Sequence, residues 1–199
     1  SCLRDASLFT IMKRNIKLLI EYDGTDYKGW QEQKDVPTIQ KKLKQCIIRI
    51  TGENKTIVYG AGRTDTGVHA YGQVANFHTS STIPEETLLR ALNANLPKDI
   101  AIRDCKEVDV EFHSQYSAKS KAYGYHIIMG ESRPAVQARY RHWVRRNLEL
   151  EDMKKSSRHL IGTHDFSSFE ASSSPRKSSI RTVNYIDINQ ENCYIKISI

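Results

Sequence analysis

Residues 59–74, YGAGRTDTGVHAYGQV, crowd four glycines, one arginine, one aspartate and one histidine into sixteen positions between strand-like runs. The glycines let the chain turn sharply and let another group come close. Arg63 and Asp65 stand two residues apart on this loop, with His69 four further on. A carboxylate beside a cation stays ionised at neutral pH, the state a nucleophile needs. An aspartate in a Gly/Thr loop is also an ordinary turn former, its carboxylate bonding nearby N–H groups. No metal spacing accompanies it: His69 and His78 stand apart with no third ligand in view. GAGRTDTG matches neither a dinucleotide fingerprint nor a P-loop.

Working outward, NIKLLIEYDG alternates Ile16, Leu18, Ile20 and Tyr22 on one face, a strand ending in an Asp23-Gly24 turn. Thr38 opens a helix with Ile39, Leu43, Cys46, Ile47 and Ile50 on one face, and Gly52 stops it. KTIVYGAG runs as a short strand into the glycine loop. GQVANFHTS follows as another, with Val74 alternating against Asn76. Pro84, Glu85 and Glu86 open a helix carrying Leu88, Leu89 and Leu92, the carboxylates suiting its N-terminal dipole. IAIRDCKEV is a strand. The order strand, helix, strand, loop, strand, helix, strand predicts an α+β, split βαβ, ferredoxin-like first half over 13–108.

A second half is expected over 109–199, with strands in SQYSAKSKAYGYHIIMG and RYRHWVR, and a helix in LEDMKKSSRHLIG. A hairpin of RTVNYIDIN and CYIKISI closes it. Residues 171–179 read as a polar, basic loop. The last strand runs flush to Ile199, so the second half is expected to be incomplete. His113 is expected to pack in a strand, His69 to stabilise its loop, and Trp30 to sit in the core.

The chain of 199 residues is long enough for one large domain or two small ones. With 30 Lys and Arg against 23 Asp and Glu, its formal net charge is +7, which favours a polyanionic partner such as nucleic acid. The four cysteines, Cys2, Cys46, Cys105 and Cys193, form no CxxC pair, so neither zinc nor a disulfide framework is expected. No apolar run approaches the length that spans a bilayer. The N-terminal residues lack a secretory h-region. A cytoplasmic location is expected, or an organellar one if residues 1–11 are a targeting remnant.

GAGRTDTGVHA resembles the signature loop of the tRNA pseudouridine synthases of the TruA family. EYDGTDYKGWQEQ (21–33), ALNANLP (91–97), FHSQYSA (112–118), KAYGY (121–125), GTHDFSSF (162–169) and IRTV (180–183) resemble further family segments in the same order. The resemblance implies two ferredoxin-like halves whose antiparallel sheets join around a central basic cleft. It implies isomerisation of uridine to pseudouridine in the tRNA anticodon stem-loop, at tRNA positions 38–40, with no cofactor, no metal and a homodimeric enzyme.

Residue by residue, the resemblance maps the family aspartate onto Asp65 as nucleophile. Arg63 becomes the arginine that pairs with it or enters the RNA as the base leaves, and Tyr123 the tyrosine against the target base. Tyr125, two residues on, shares a face with Tyr123 on a regular strand. Lys119, Lys121, Arg139, Arg141, Arg145 and Arg146 flank these aromatics; Arg139, Arg141 and Arg145 are expected on one side of an alternating strand, a phosphate-tracking stripe. Lys121 and Arg141 are the candidate RNA contacts among them. Three departures stand out: Gln115 replaces a frequent family arginine, Ala122 and Gly124 replace bulkier or basic residues, and the family's last strand-and-helix segment is not found, so the chain is expected to be C-terminally truncated. A catalytically impaired tRNA-binding module on the same fold is the alternative; a metal-dependent nuclease would need clustered carboxylates the sequence lacks.

Overall fold

The computed structural model describes residues 13–170 and 178–199; Cys2, the residues up to 12 and most of the expected 171–179 loop lie outside the described residues. The chain divides into two compact units, one ending at Lys119 and one spanning Ser120–Ile199.

In the first unit, β1 (Arg14–Tyr22), α1 (Ile39–Thr51), β2 (Val58–Gly60), β3 (Ala70–Thr79), α2 (Glu85–Asn95) and β4 (Ile100–Val108) follow in sequence. The sheet order is β2-β3-β1-β4, antiparallel throughout. This is the ferredoxin-like split βαβ arrangement that the order of elements predicts. The alternation of β1 buries Ile16, Leu18, Ile20 and Tyr22 against the helices. Each such side chain contributes roughly 1.5–3 kcal/mol of burial. The Thr38 side chain accepts from the Lys41 N–H to open α1, and Gly52 closes it at φ 75°. The inward face of that helix is Ile39, Leu43, Cys46 and Ile47. On β3 the core residues are Ala75 and Phe77. Val74 and Asn76 therefore share the other face rather than alternating, because residues two apart on a strand point the same way.

That other face is polar at its centre and closed by a strap. Asn15 and Asn76 are buried there, and the Asn76 Nδ2 donates to the Asn15 Oδ1 at 2.9 Å. The Asn15 Nδ2 donates to the carbonyls of Asp109 and Phe112 at 2.9 and 2.8 Å. The Asn76 Oδ1 accepts the Ser114 N–H at 2.9 Å, and the Ser114 hydroxyl donates to the Tyr59 carbonyl at 2.8 Å. Two asparagines thus fasten residues 109–114 to the sheet, each using its amide as both donor and acceptor.

The second unit contains β5 (Gly124–Met129), β6 (His142–Val144), α3 (Leu150–Ser157), β7 (Gly162–Asp165), β8 (Ile180–Val183), β9 (Asp187–Glu191) and β10 (Tyr194–Ser198). Its main sheet has the order β6-β5-β10-β9, and β7 and β8 form a separate ribbon. The run β9-β10-β5 repeats β2-β3-β1 of the first unit. Its edge differs: β6 pairs β5 in parallel where β4 pairs β1 antiparallel. The fold is α+β with mainly antiparallel sheets, as the sequence predicts. Met129, Ile188 and Ile195 form the buried centre of this unit, with Leu150 and Met153 of α3 packed alongside.

Three local expectations are corrected. The strand expected in SQYSAKSKAYGYHIIMG begins at Gly124, after an irregular stretch. RYRHWVR is a strand only at His142–Val144: the N–H groups of Tyr140 and Arg141 both donate to the Gln137 carbonyl, closing a turn. Arg139, Arg141 and Arg145 therefore form no stripe on one strand. RTVNYIDIN is split, its first part pairing with β7 and its last with β10.

Asn76→Ala removes the partner of both Asn15 and Ser114 in a buried setting. Thermal unfolding should show a loss of about 1–3 kcal/mol, whereas an unchanged midpoint would show that the strap does not depend on this side chain.

Candidate active site

The loop between β2 and β3 does not stand free. The segment Asp23–Trp30, following β1, lies across it backbone to backbone. The Trp30 N–H donates to the Thr64 carbonyl at 3.0 Å and the Gly67 N–H to the Tyr27 carbonyl at 3.2 Å. The approach is so close that a side chain at Gly24 would strike the Val68 carbonyl, and one at Gly29 the Thr64 carbonyl. Gly29 also adopts φ +82°, a left-handed conformation that only glycine takes without strain. The ring of Trp30, 1% exposed, fills the space over Gly60.

Side chains complete the clamp. Gln73 donates to the Gly62 carbonyl at 2.7 Å, and the Tyr22 and Thr64 hydroxyls lie 2.9 Å apart. Burial pushes the Tyr22 phenol up, and burial together with the Asp99 carboxylate does so more strongly at Tyr27, so both stay protonated. Tyr27 donates to Asp99 at 2.7 Å. His69 ties the far end of the loop, its Nδ1 lying 3.0 Å from the Asp23 carboxylate, in keeping with the stabilising part expected of it.

Thr64 points inward to Tyr22, and its neighbours Arg63 and Asp65 are both exposed. An extended segment with its middle residue anchored presents the flanking two outward. Asp65 is thus a solvated carboxylate on a backbone that has little freedom to move. Beside it, Arg63 lines a groove of about 250 Å³ together with Trp30, Ile57, Tyr59 and Gln115. Among the described residues, no group of three His, Cys, Asp or Glu side chains is placed to hold a metal ion. No helix among them is long and apolar enough to cross a membrane.

The other candidate residues belong to the second unit. Tyr123 exchanges two backbone hydrogen bonds with Ile199, at 2.8 and 2.9 Å, so pairing with β10 extends one residue before β5. Tyr125 lies opposite Ile197. The two tyrosines are 50% and 56% exposed on one face of the sheet. Lys121 is exposed on the stretch leading into the strand. Arg141 is elsewhere: its guanidinium lies 4.2 Å over the Tyr194 ring. Tyr194 pairs with Ile128, an odd number of residues from Tyr125 and hence on the opposite face. On that face burial, with Arg141 and Lys196 nearby, lowers the pKa of His126. Arg63 and Asp65 are both exposed on the same loop without an ion pair between them, Tyr123 and Tyr125 share a face, and Arg141 is separated from the tyrosine pair.

Sequence reasoning did not find the Thr64 anchor or the Asn15–Asn76–Ser114 strap. A polar residue inside an otherwise apolar strand, as at Asn15 and Asn76, was the available signal. His113 is not in a strand: it lies between the rings of Tyr59 and Tyr116, at centroid distances of 4.6 and 4.4 Å.

A ferredoxin-like sheet with an exposed arginine and an exposed aspartate on a clamped loop is the frame of the candidate site. Comparison with known proteins gives the family. The family model for tRNA pseudouridine synthase matches residues 18–117 and 157–199. The tRNA pseudouridine synthase A of Clostridium kluyveri is 46% identical over 186 residues, covering 94% of this chain and 76% of that protein. Those of Acetivibrio thermocellus, 45% identical over 187 residues, and Caldicellulosiruptor saccharolyticus, 47% identical over 186, are covered to the same extents. The chain belongs to the tRNA pseudouridine synthase family.

The clamp makes a paired prediction. Gly52→Ala meets nothing within 4 Å at φ +75° and should cost about 1–2 kcal/mol from the backbone alone. Gly29→Ala carries the same backbone cost and must also displace the Thr64 carbonyl, so urea unfolding should show a distinctly larger loss. Equal losses would contradict the clamp.

Proposed function

We propose that this chain isomerises uridine to pseudouridine in the anticodon stem-loop of tRNA, at positions 38–40, with Asp65 as nucleophile. The observation that carries the reading is the exposed Asp65 on a loop pinned from behind, in a chain of this family. The bond from ribose C1′ to N1 breaks, the base rotates, and C5 bonds to C1′. The proton lost from C5 is balanced by one gained at N1, so no electrons or atoms are exchanged with a coenzyme. An anionic oxygen serves this by attacking the ribose, by assisting deprotonation there or by adding to the pyrimidine ring.

A uridine within a stem must leave its stack before Asp65 reaches it, which costs a few kcal/mol. The planar guanidinium of Arg63, exposed beside Asp65, is suited to stack and hydrogen-bond in the vacated space. Tyr123 is the proposed base contact, with Tyr125 beside it on the same face. Lys121 and Arg141 are proposed to meet phosphates, which the +7 net charge favours. Because Arg141 lies on the other face of its sheet from the tyrosines, its phosphate is not the one next to the base they hold. The working enzyme is proposed to be a cytoplasmic homodimer.

The test uses tRNA tritiated at uracil C5, without added metal. The wild-type chain should release tritium. Asp65→Ala should release it more slowly by at least roughly a thousandfold while binding tRNA as before. Release that survives the substitution would refute the nucleophile; binding without release by the wild type would favour a binding module.

A further inference from the structure

Tyr116 is 80% exposed, yet its position is fixed from one side. Its ring rests on His113 at 4.4 Å and a 30° tilt, and His113 rests on Tyr59 at 4.6 Å. The imidazole is held at its edge, since its Nδ1 accepts the Gln115 N–H at 3.2 Å. The turn beneath is closed by the Ser117 N–H donating to the His113 carbonyl at 2.8 Å, and by the His113 N–H donating to the Ser117 hydroxyl at 3.3 Å. Below that, Ser114 is bonded to Asn76 and to the Tyr59 carbonyl. A bulky ring backed by two others and fastened to a buried network is preorganised for a further flat partner. The stack starts at the groove that Arg63 lines: Tyr59 and Gln115 line it too.

Resting on the reading of the chain as a tRNA-modifying enzyme, we propose that Tyr116, backed by His113 and Tyr59, is a stacking platform for an unpaired nucleobase of the bound tRNA, separate from the uridine being isomerised. Single-stranded bases are commonly held on aromatic faces, and the basic character of the chain supplies the attraction for the backbone on either side. The exposed flat ring, the stacked rings and polar network behind it, and the arginine lining the adjoining groove fit a nucleobase.

The experiment measures equilibrium binding of a tRNA transcript to the full chain over a range of salt concentrations, with Tyr116→Ala, Tyr116→Leu and Tyr116→Phe. Alanine and leucine should each weaken binding by roughly 5- to 100-fold at every salt concentration. Phenylalanine should bind within about twofold of the wild type, since the flat face and not the hydroxyl is used. The slope of affinity against salt should stay unchanged, because no phosphate contact is lost. Leucine binding as well as tyrosine, an altered slope, or a change in self-association with tRNA affinity intact would each overturn the platform. Tritium release by the wild type keeps the outcomes separate: normal release with unaffected Tyr116→Ala binding refutes the platform alone. Weakened Tyr116→Ala and Tyr116→Leu binding in a chain that releases none refutes the catalytic reading alone.

Discussion

The structure around the candidate site depends on one close approach of backbone to backbone. The segment after β1 crosses the loop between β2 and β3 so tightly that Gly24 and Gly29 leave no room for a side chain. Hydrogen bonds from Trp30 to Thr64 and from Gly67 to Tyr27 close the crossing. A glycine-rich loop left alone would sample many conformations, and its carboxylate would be placed only on average. Crossed by a second segment it becomes a fixed edge. The same glycines that give the loop its shape are thereby relieved of the disorder they would otherwise bring.

Fixing the loop also settles which side chains face out. Thr64 is consumed by its inward bond to Tyr22, and Arg63 and Asp65 are left in water on either side of it. The role proposed for Asp65, action on a base that must first be extruded, needs the carboxylate at a set point before the substrate arrives. A second fastening, the Asn15–Asn76–Ser114 network, holds the 109–114 stretch against the other face of the sheet. Both fastenings use buried polar groups with satisfied partners, which hold one geometry better than an apolar contact can.

Much of the first unit was legible in the sequence because its signals agree at several levels. The alternation of Ile16, Leu18, Ile20 and Tyr22, the Thr38 cap and the Gly52 stop each point to the element that forms. The second unit was harder. Its strands are short, few residues are fully buried, and the RYRHWVR run alternates in type without the burial that would make the alternation decide a strand. Loop composition made Asp65 and Arg63 stand out, and the matching family segments put them in context. The inward turn of Thr64 to Tyr22 and the packing of His113 on Tyr59 depend on contacts between segments far apart in sequence. No local pattern encodes those contacts.

The most direct test of this account is amide hydrogen exchange at Trp30 and Gly67, whose N–H groups make the two bonds of the crossing. If the loop is a fixed edge, both amides should be protected to within roughly tenfold of those in the centre of β1 and β3. Exchange at the rate of an open loop, with the strands still protected, would mean that the crossing is transient and that Asp65 is not held in place.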